Sequence, residues 1–173
     1  MITFGVVWLI YYWAVMRYSV QMFQQNSYRP ERYNRWLRST GEWLSRPNLV
    51  ALLSSVAFAL TSHWVVLLIF GLWMLVIAIA EFSIKYKIKL AYTMRVKRLI
   101  ATRMLLTAAI IAVVAIFAPR YTLVAAMLLT LDYWTILANA LNRPLEQYIT
   151  RWYYNDAKRI LRSMPHLRII GIT

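Results

Sequence analysis

Between residues 48 and 80 the chain contains no Asp, Glu, Lys or Arg. As one α-helix this run would be about 50 Å long, against a membrane hydrocarbon core of about 30 Å. A single crossing would need a tilt beyond the usual range of about 0–40°. Two helices with a tight turn at Thr61-Ser62-His63-Trp64 fit the length. A second long apolar run, residues 104–141, is divided by Pro119-Arg120, because Pro removes a backbone donor that lipid cannot replace. The N-terminal run meets no charge before Arg17. A cleaved secretory signal carries its positive charge ahead of the apolar stretch, so this segment reads as a retained helix. The expectation is an all-α integral membrane protein of about five transmembrane helices, one plus two hairpins. Their places are about 2–23, 49–60, 65–80, 104–118 and 121–141.

The charges between these runs set the orientation. Lys and Arg total 20 against 6 Asp and Glu. The segment 24–47 holds Arg29, Arg32, Arg35, Arg38 and Arg46 interleaved with Tyr33, Trp36, Leu37, Trp43 and Leu44. That mixture suits an amphipathic segment on the membrane interface. The segment 81–103 holds Lys85, Lys87, Lys89, Arg95, Lys97, Arg98 and Arg103. Its apolar Ile84, Ile88, Tyr92, Val96 and Leu99 predict a cytoplasmic helix continuing from the third span. Residues 142–173 are basic again, and only Arg120 falls on the opposite side. This asymmetry places the N-terminus outside and the C-terminus in the cytoplasm of a multi-pass protein of the cell's inner membrane. It argues against nucleic acid, which would call for a basic stripe on one folded surface. The basic loops also suit anionic lipid headgroups as partners.

With 61% hydrophobic residues, the chain exceeds the roughly 45–50% of soluble domains. It has no Cys, so thiolate chemistry and disulfides are excluded. Its two histidines, His63 and His166, are far apart, which speaks against a zinc site. Asp132 is the candidate polar site, because an acid within a span is costly and a functional suspect. A proton or cation path would use it. The structural alternative, a hydrogen bond to a neighbouring helix through Thr107 or Ser55, carries more weight because no second acid faces it. Glu81 is expected to pair with nearby lysines at the inner end of its span, and His63 and Trp64 to sit at an outer turn. The many Trp and Tyr residues read as interface anchors. No catalytic constellation is present, and four Gly leave little room for a phosphate cradle.

The tail is more specific. Asn142-Arg143-Pro144-Leu145-Glu146 leads into a predicted helix over 145–164 that carries Asn155-Asp156-Ala157-Lys158. Pro165 ends it, and the β-branched residues of 167–173, closing on Gly171-Ile172-Thr173, predict a strand. This segment resembles the lead-in to the ATP-binding domain of Mur ligase family proteins, especially the D-alanyl-D-alanine-adding type with an N-terminal membrane region. In that family a glycine-rich G-x-x-G-K-[ST] loop follows the strand and cradles phosphates at a helix N-terminus. Here the chain stops at Thr173, so that loop's residues have no matching positions. The resemblance implies a membrane domain, 1–141, followed by a cytoplasmic lead-in, 142–173, to a missing nucleotide-binding domain. The chain itself would hold no catalytic residue and no cofactor. ATP and Mg would belong to the missing ligase domain, which would join an amino acid or dipeptide to a peptidoglycan precursor. Cell-wall synthesis proteins would be its partners. The alternatives are a free-standing small transporter or lipid-handling protein using Asp132, and a membrane scaffold.

Overall fold

The computed structural model describes residues 2–164. The strand expected over 167–173 and Pro165, expected to end the preceding helix, lie outside the described residues. Among the described residues the regular structure is entirely helical. Helix α1 is Ile2–Gln25, α2 is Pro30–Ser39, α3 is Arg46–Thr61 and α4 is Trp64–Ser83. Helix α5 is Met94–Phe117, α6 is Thr122–Leu128 and α7 is Tyr133–Arg162. Short 3-10 turns at Glu42–Leu44 and Pro119–Tyr121 lead into α3 and α6.

Two helices, α4 and α5, are long and apolar enough to cross a membrane. The bent pair of α6 and α7 makes a third if counted as one span. The surfaces of these helices fit that solvent. Leu72 of α4 is 65% exposed, and Leu105 and Phe117 of α5 are 70% and 82% exposed. Apolar exposure on this scale is rare on soluble monomers and fits a membrane-facing surface. The turn between α3 and α4 forms where the sequence placed it. Ser62 takes the left-handed conformation at φ 49° and caps α3, and the His63 Nδ1 accepts from the Val65 amide at 3.3 Å to start α4.

Helix α1 is the centre of the bundle. Trp8, Tyr11, Tyr12, Met16, Val20 and Phe23 are buried, and the helix packs chiefly against α4. Of the aromatic residues read as interface anchors, Trp8, Tyr11 and Tyr12 are core residues with polar tips. Trp8 Nε1 donates to the Ala126 carbonyl at 2.9 Å, and the Tyr11 hydroxyl donates to the Pro47 carbonyl at 2.7 Å. The reason is that Trp and Tyr bring a large apolar body together with one hydrogen-bonding group, and that suits a packed helix interface as well as a headgroup layer. Helix α2 has the expected two faces. Tyr33 and Leu37 are buried, whereas Arg29, Arg32, Arg35 and Arg38 face outward.

Three expectations need correction. The helix expected to continue from α4 through 81–103 is interrupted, because residues 84–93 are irregular and helix resumes only at Met94. The local pattern there, Ile84-Lys85-Tyr86-Lys87-Ile88-Lys89-Leu90, alternates with period two, and Tyr86 and Leu90 turn toward the core. Side-chain amides of α1 supply the backbone partners that a helix would have supplied. Gln21 Nε2 donates to the Ile88 carbonyl at 2.6 Å, Gln24 Nε2 donates to the Ala91 carbonyl at 3.0 Å, and the Ala91 amide donates back to Gln24 Oε1 at 3.0 Å.

The last apolar segment, expected as one helix over 121–141, is instead two, with an 89° bend between α6 and α7. Nor does Pro144 open a helix, since it lies inside the 30-residue α7. The apolar stretch before it and the polar stretch after it belong to one element because residues 133–143 have no other helix breaker.

Candidate functional site

The bend between α6 and α7 frees backbone groups inside an apolar bundle. Non-helical backbone at such depth survives only where protein satisfies it. Here several side chains converge on the break. Trp8 reaches the Ala126 carbonyl, the Thr130 hydroxyl donates to the Met127 carbonyl at 2.6 Å, and Trp134 Nε1 donates to the Leu128 carbonyl at 2.9 Å. Arg103 on α5 donates through Nη2 to the carbonyls of Thr130 and Leu131 at 3.3 and 3.2 Å, and through Nη1 to the Thr135 hydroxyl.

Arg103 is fully buried. By its place in the sequence Arg103 belongs to the second basic segment, whose charges are expected to be cytoplasmic. It is instead enclosed by the bundle, two turns inside α5, with its guanidinium 5.8 Å from the centre of the Tyr12 ring. The local sequence offered one signal. Arg103 stands apart from Arg95, Lys97 and Arg98 and is followed at once by the apolar Met104-Leu105.

Asp132 sits at the same break and is 3% exposed. Its Oδ2 accepts from Asn48 Nδ2 at 3.0 Å, and its Oδ1 has no hydrogen-bond partner. Neither expected partner reaches it. Thr107 shares a 2.8 Å hydrogen bond with the Tyr12 hydroxyl, and the Ser55 hydroxyl donates to the Leu52 carbonyl of its own helix. Asn48 was missed because nothing in the sequence links the first turn of α3 to a residue 84 positions later. Ser19 completes the cluster, sharing hydrogen bonds with Thr135 at 2.6 Å and with Tyr33 at 3.0 Å.

The charges match the helix ends they face. Arg103 lies on the carbonyl end of α6, and Asp132 occupies the residue before α7 and touches the first turn of α3. A helix carries partial negative charge at its C-terminus and partial positive charge at its N-terminus, so each placement is favourable. Among the described residues the ion pairs are Arg95 and Arg98 with Glu146, and Arg159 with Asp156. Arg103 and Asp132 therefore act on the break separately, without a direct ion pair. What the arrangement can do chemically is hold a fixed bend. It presents no nucleophile beside a base, and no group of acids or histidines suited to a metal occurs among the described residues.

Comparison with known protein families, curated proteins and solved structures finds no match to this chain. The functional reading therefore rests on the residues themselves.

The remaining candidates resolve as follows. Glu81 does not pair with lysine; its carboxylate accepts from the Tyr86 hydroxyl at 2.9 Å. The lysines expected to neutralise it point away because Tyr86 alternates with them along the loop. Burial, reinforced by the Glu81 carboxylate, raises the Tyr86 phenol above its ordinary value, so it remains a donor. His63 is the exposed N-cap of α4, stacked on Trp64 with ring centres 6.1 Å apart.

Proposed function

We propose that this chain is the membrane domain of an ATP-dependent ligase of the Mur type, anchoring a cytoplasmic cell-wall enzyme to the inner leaflet. The single observation that carries the reading is the order of residues in the tail: Asn155-Asp156-Ala157-Lys158 within a helix, then Pro165, then Gly171-Ile172-Thr173. The geometry of α7 supports it. This helix carries the buried Thr135 in its first turn and the exposed Asn155, Ala157 and Lys158 toward its far end, so one rigid element connects the bundle to the motif. Arg98 fixes its middle by an ion pair to Glu146 at 2.8 Å. An element so held would set the distance between membrane and enzyme and concentrate the enzyme beside the membrane steps that consume its product.

The proposal includes a topology. The N-terminus and the turns at His63 and Pro119 lie outside, and α2, the loop 84–93 and the distal part of α7 lie on the cytoplasmic side. The charge asymmetry supports this orientation. Helices α1, α3, α4 and α5 each cross, and α6 enters from outside as far as the bend at Asp132. The transporter reading has weaker support, because Asp132 is held at helix ends by Asn48 rather than facing a second acid.

The test is the gene. The frame continuing past Thr173 should encode a G-x-x-G-K-[ST] loop within about ten residues, given strand-to-helix connections of about 2–6 residues. A different sequence there in an intact gene removes the ligase reading and leaves the membrane fold unaffected.

A further inference from the structure

A groove of about 880 Å³ opens between the start of α3 and the end of α4. Its volume is in the range of small-molecule sites, roughly 300–1,000 Å³. One part is apolar, walled by Leu49 and Val50 of α3 and by Trp73, Val76, Ile77 and Ala80 of α4. The other part is polar, with Glu42, Arg46, Glu81 and Tyr86 at its mouth. The apolar part lies along α4, one of the two helices long and apolar enough to cross a membrane, and the mouth lies where that helix ends.

The carboxylates at the mouth are unusual for this chain. With 20 Lys and Arg against 6 acids, every acid has basic residues available. Glu146 and Asp156 take arginines, and Asp132 takes Asn48. Glu31 is exposed on α2, beside a different hollow. Glu42 and Glu81 make no ion pair among the described residues, and both line this groove. Partly buried carboxylates that make no direct ion pair in so basic a protein favour an ammonium group, with Glu81 keeping its hydrogen bond from the Tyr86 hydroxyl. Arg46, likewise without an ion pair among the described residues, suits a phosphate. An apolar trough ending in one phosphate-binding and two ammonium-binding groups complements a phospholipid.

We propose that the groove binds a phospholipid of the phosphoethanolamine class from the cytoplasmic leaflet. One acyl chain lies between α3 and α4, the phosphate meets Arg46, and the primary ammonium donates to Glu42 and Glu81. A choline headgroup has no N–H to donate, and a glycerol headgroup has no positive charge, so both are discriminated against. This inference rests on α3 and α4 lying in a membrane and is independent of the ligase reading.

The experiment is native mass spectrometry of the full chain in detergent, with added dioleoyl phosphatidylethanolamine, phosphatidylglycerol or phosphatidylcholine. The ethanolamine lipid should bind about tenfold more tightly than the other two, the ratio that one charge-assisted hydrogen bond supplies. Glu42→Gln and Glu81→Gln should each reduce that preference, and Arg46→Gln should weaken all three lipids. Val50→Trp should fill the trough and remove the bound lipid. Val76→Trp gives a second plug on a side chain already 58% exposed, so the fold is preserved. Equal or tighter binding of the glycerol or choline lipid overturns the proposal, as does lipid retention in both tryptophan variants.

Discussion

The Arg103 guanidinium donates to the Leu131 carbonyl at 3.2 Å, joining the interior of α5 to the bend between α6 and α7. Within an apolar bundle no water is available to take its place. Arg103→Leu should therefore leave the carbonyls of Thr130 and Leu131 without donors. At about 1–3 kcal/mol for each orphaned buried group, the loss should be about 3 kcal/mol. Arg103→Lys retains the charge but not the planar fork, and should fall between the two. Thermal unfolding in a mild detergent would rank the three proteins. Equal stability of Arg103→Leu and the parent would remove Arg103 from the account of the bend.

Asp132 and Asn48 should be coupled. Asp132→Asn keeps an acceptor for Asn48 Nδ2 and should fold normally. Asp132→Leu should cost about 1–2 kcal/mol, the upper range for polar contacts between membrane helices. A double-mutant cycle with Asn48→Leu should return a coupling of about 1 kcal/mol. If Asp132→Asn instead abolished a proton or cation flux measured in liposomes, the transporter reading would replace the structural one.

The loop over residues 84–93 should depend on α1. Gln24 both donates to and accepts from Ala91. Gln24→Ala removes two hydrogen bonds, worth about 0.5–1.5 kcal/mol each. Trypsin should then cut faster after Lys85, Lys87 and Lys89, which are exposed already and differ only in how firmly the backbone is held. Unchanged cleavage kinetics would show that the loop is held by something other than these amides.

The absence of native Cys makes the proposed topology directly measurable. Single cysteines at Ser62 and Arg120 should react with an impermeant maleimide added to intact cells. Cysteines at Lys87 and Lys158 should react only after the membrane is opened. External labelling at Lys87 or Lys158 would invert the arrangement.

The places where the chain becomes helical were legible in the sequence wherever one local rule governed. The turn at Ser62 and His63 follows from a charge-free run longer than a bilayer is thick. The two faces of α2 follow from arginines spaced around Tyr33 and Leu37. In each case the helix period or the hydrocarbon thickness decides, and both act over a few residues. Asp132 was also legible as a polar group inside the bundle, because an acid among apolar residues is conspicuous.

What the tertiary structure decided is which polar group answers which. The partner of Asp132 is Asn48, and the carbonyls after α6 are answered by Arg103, 27 and 28 residues away. Gln24 completes the backbone of Ala91, 67 residues away. Hydrogen bonds are specific in space and indifferent to chain separation, so no window of sequence contains both ends. The same physics hid the bend itself. Residues 121–141 read as a continuous apolar helix because what permits the break at Asp132 is a guanidinium supplied by another helix.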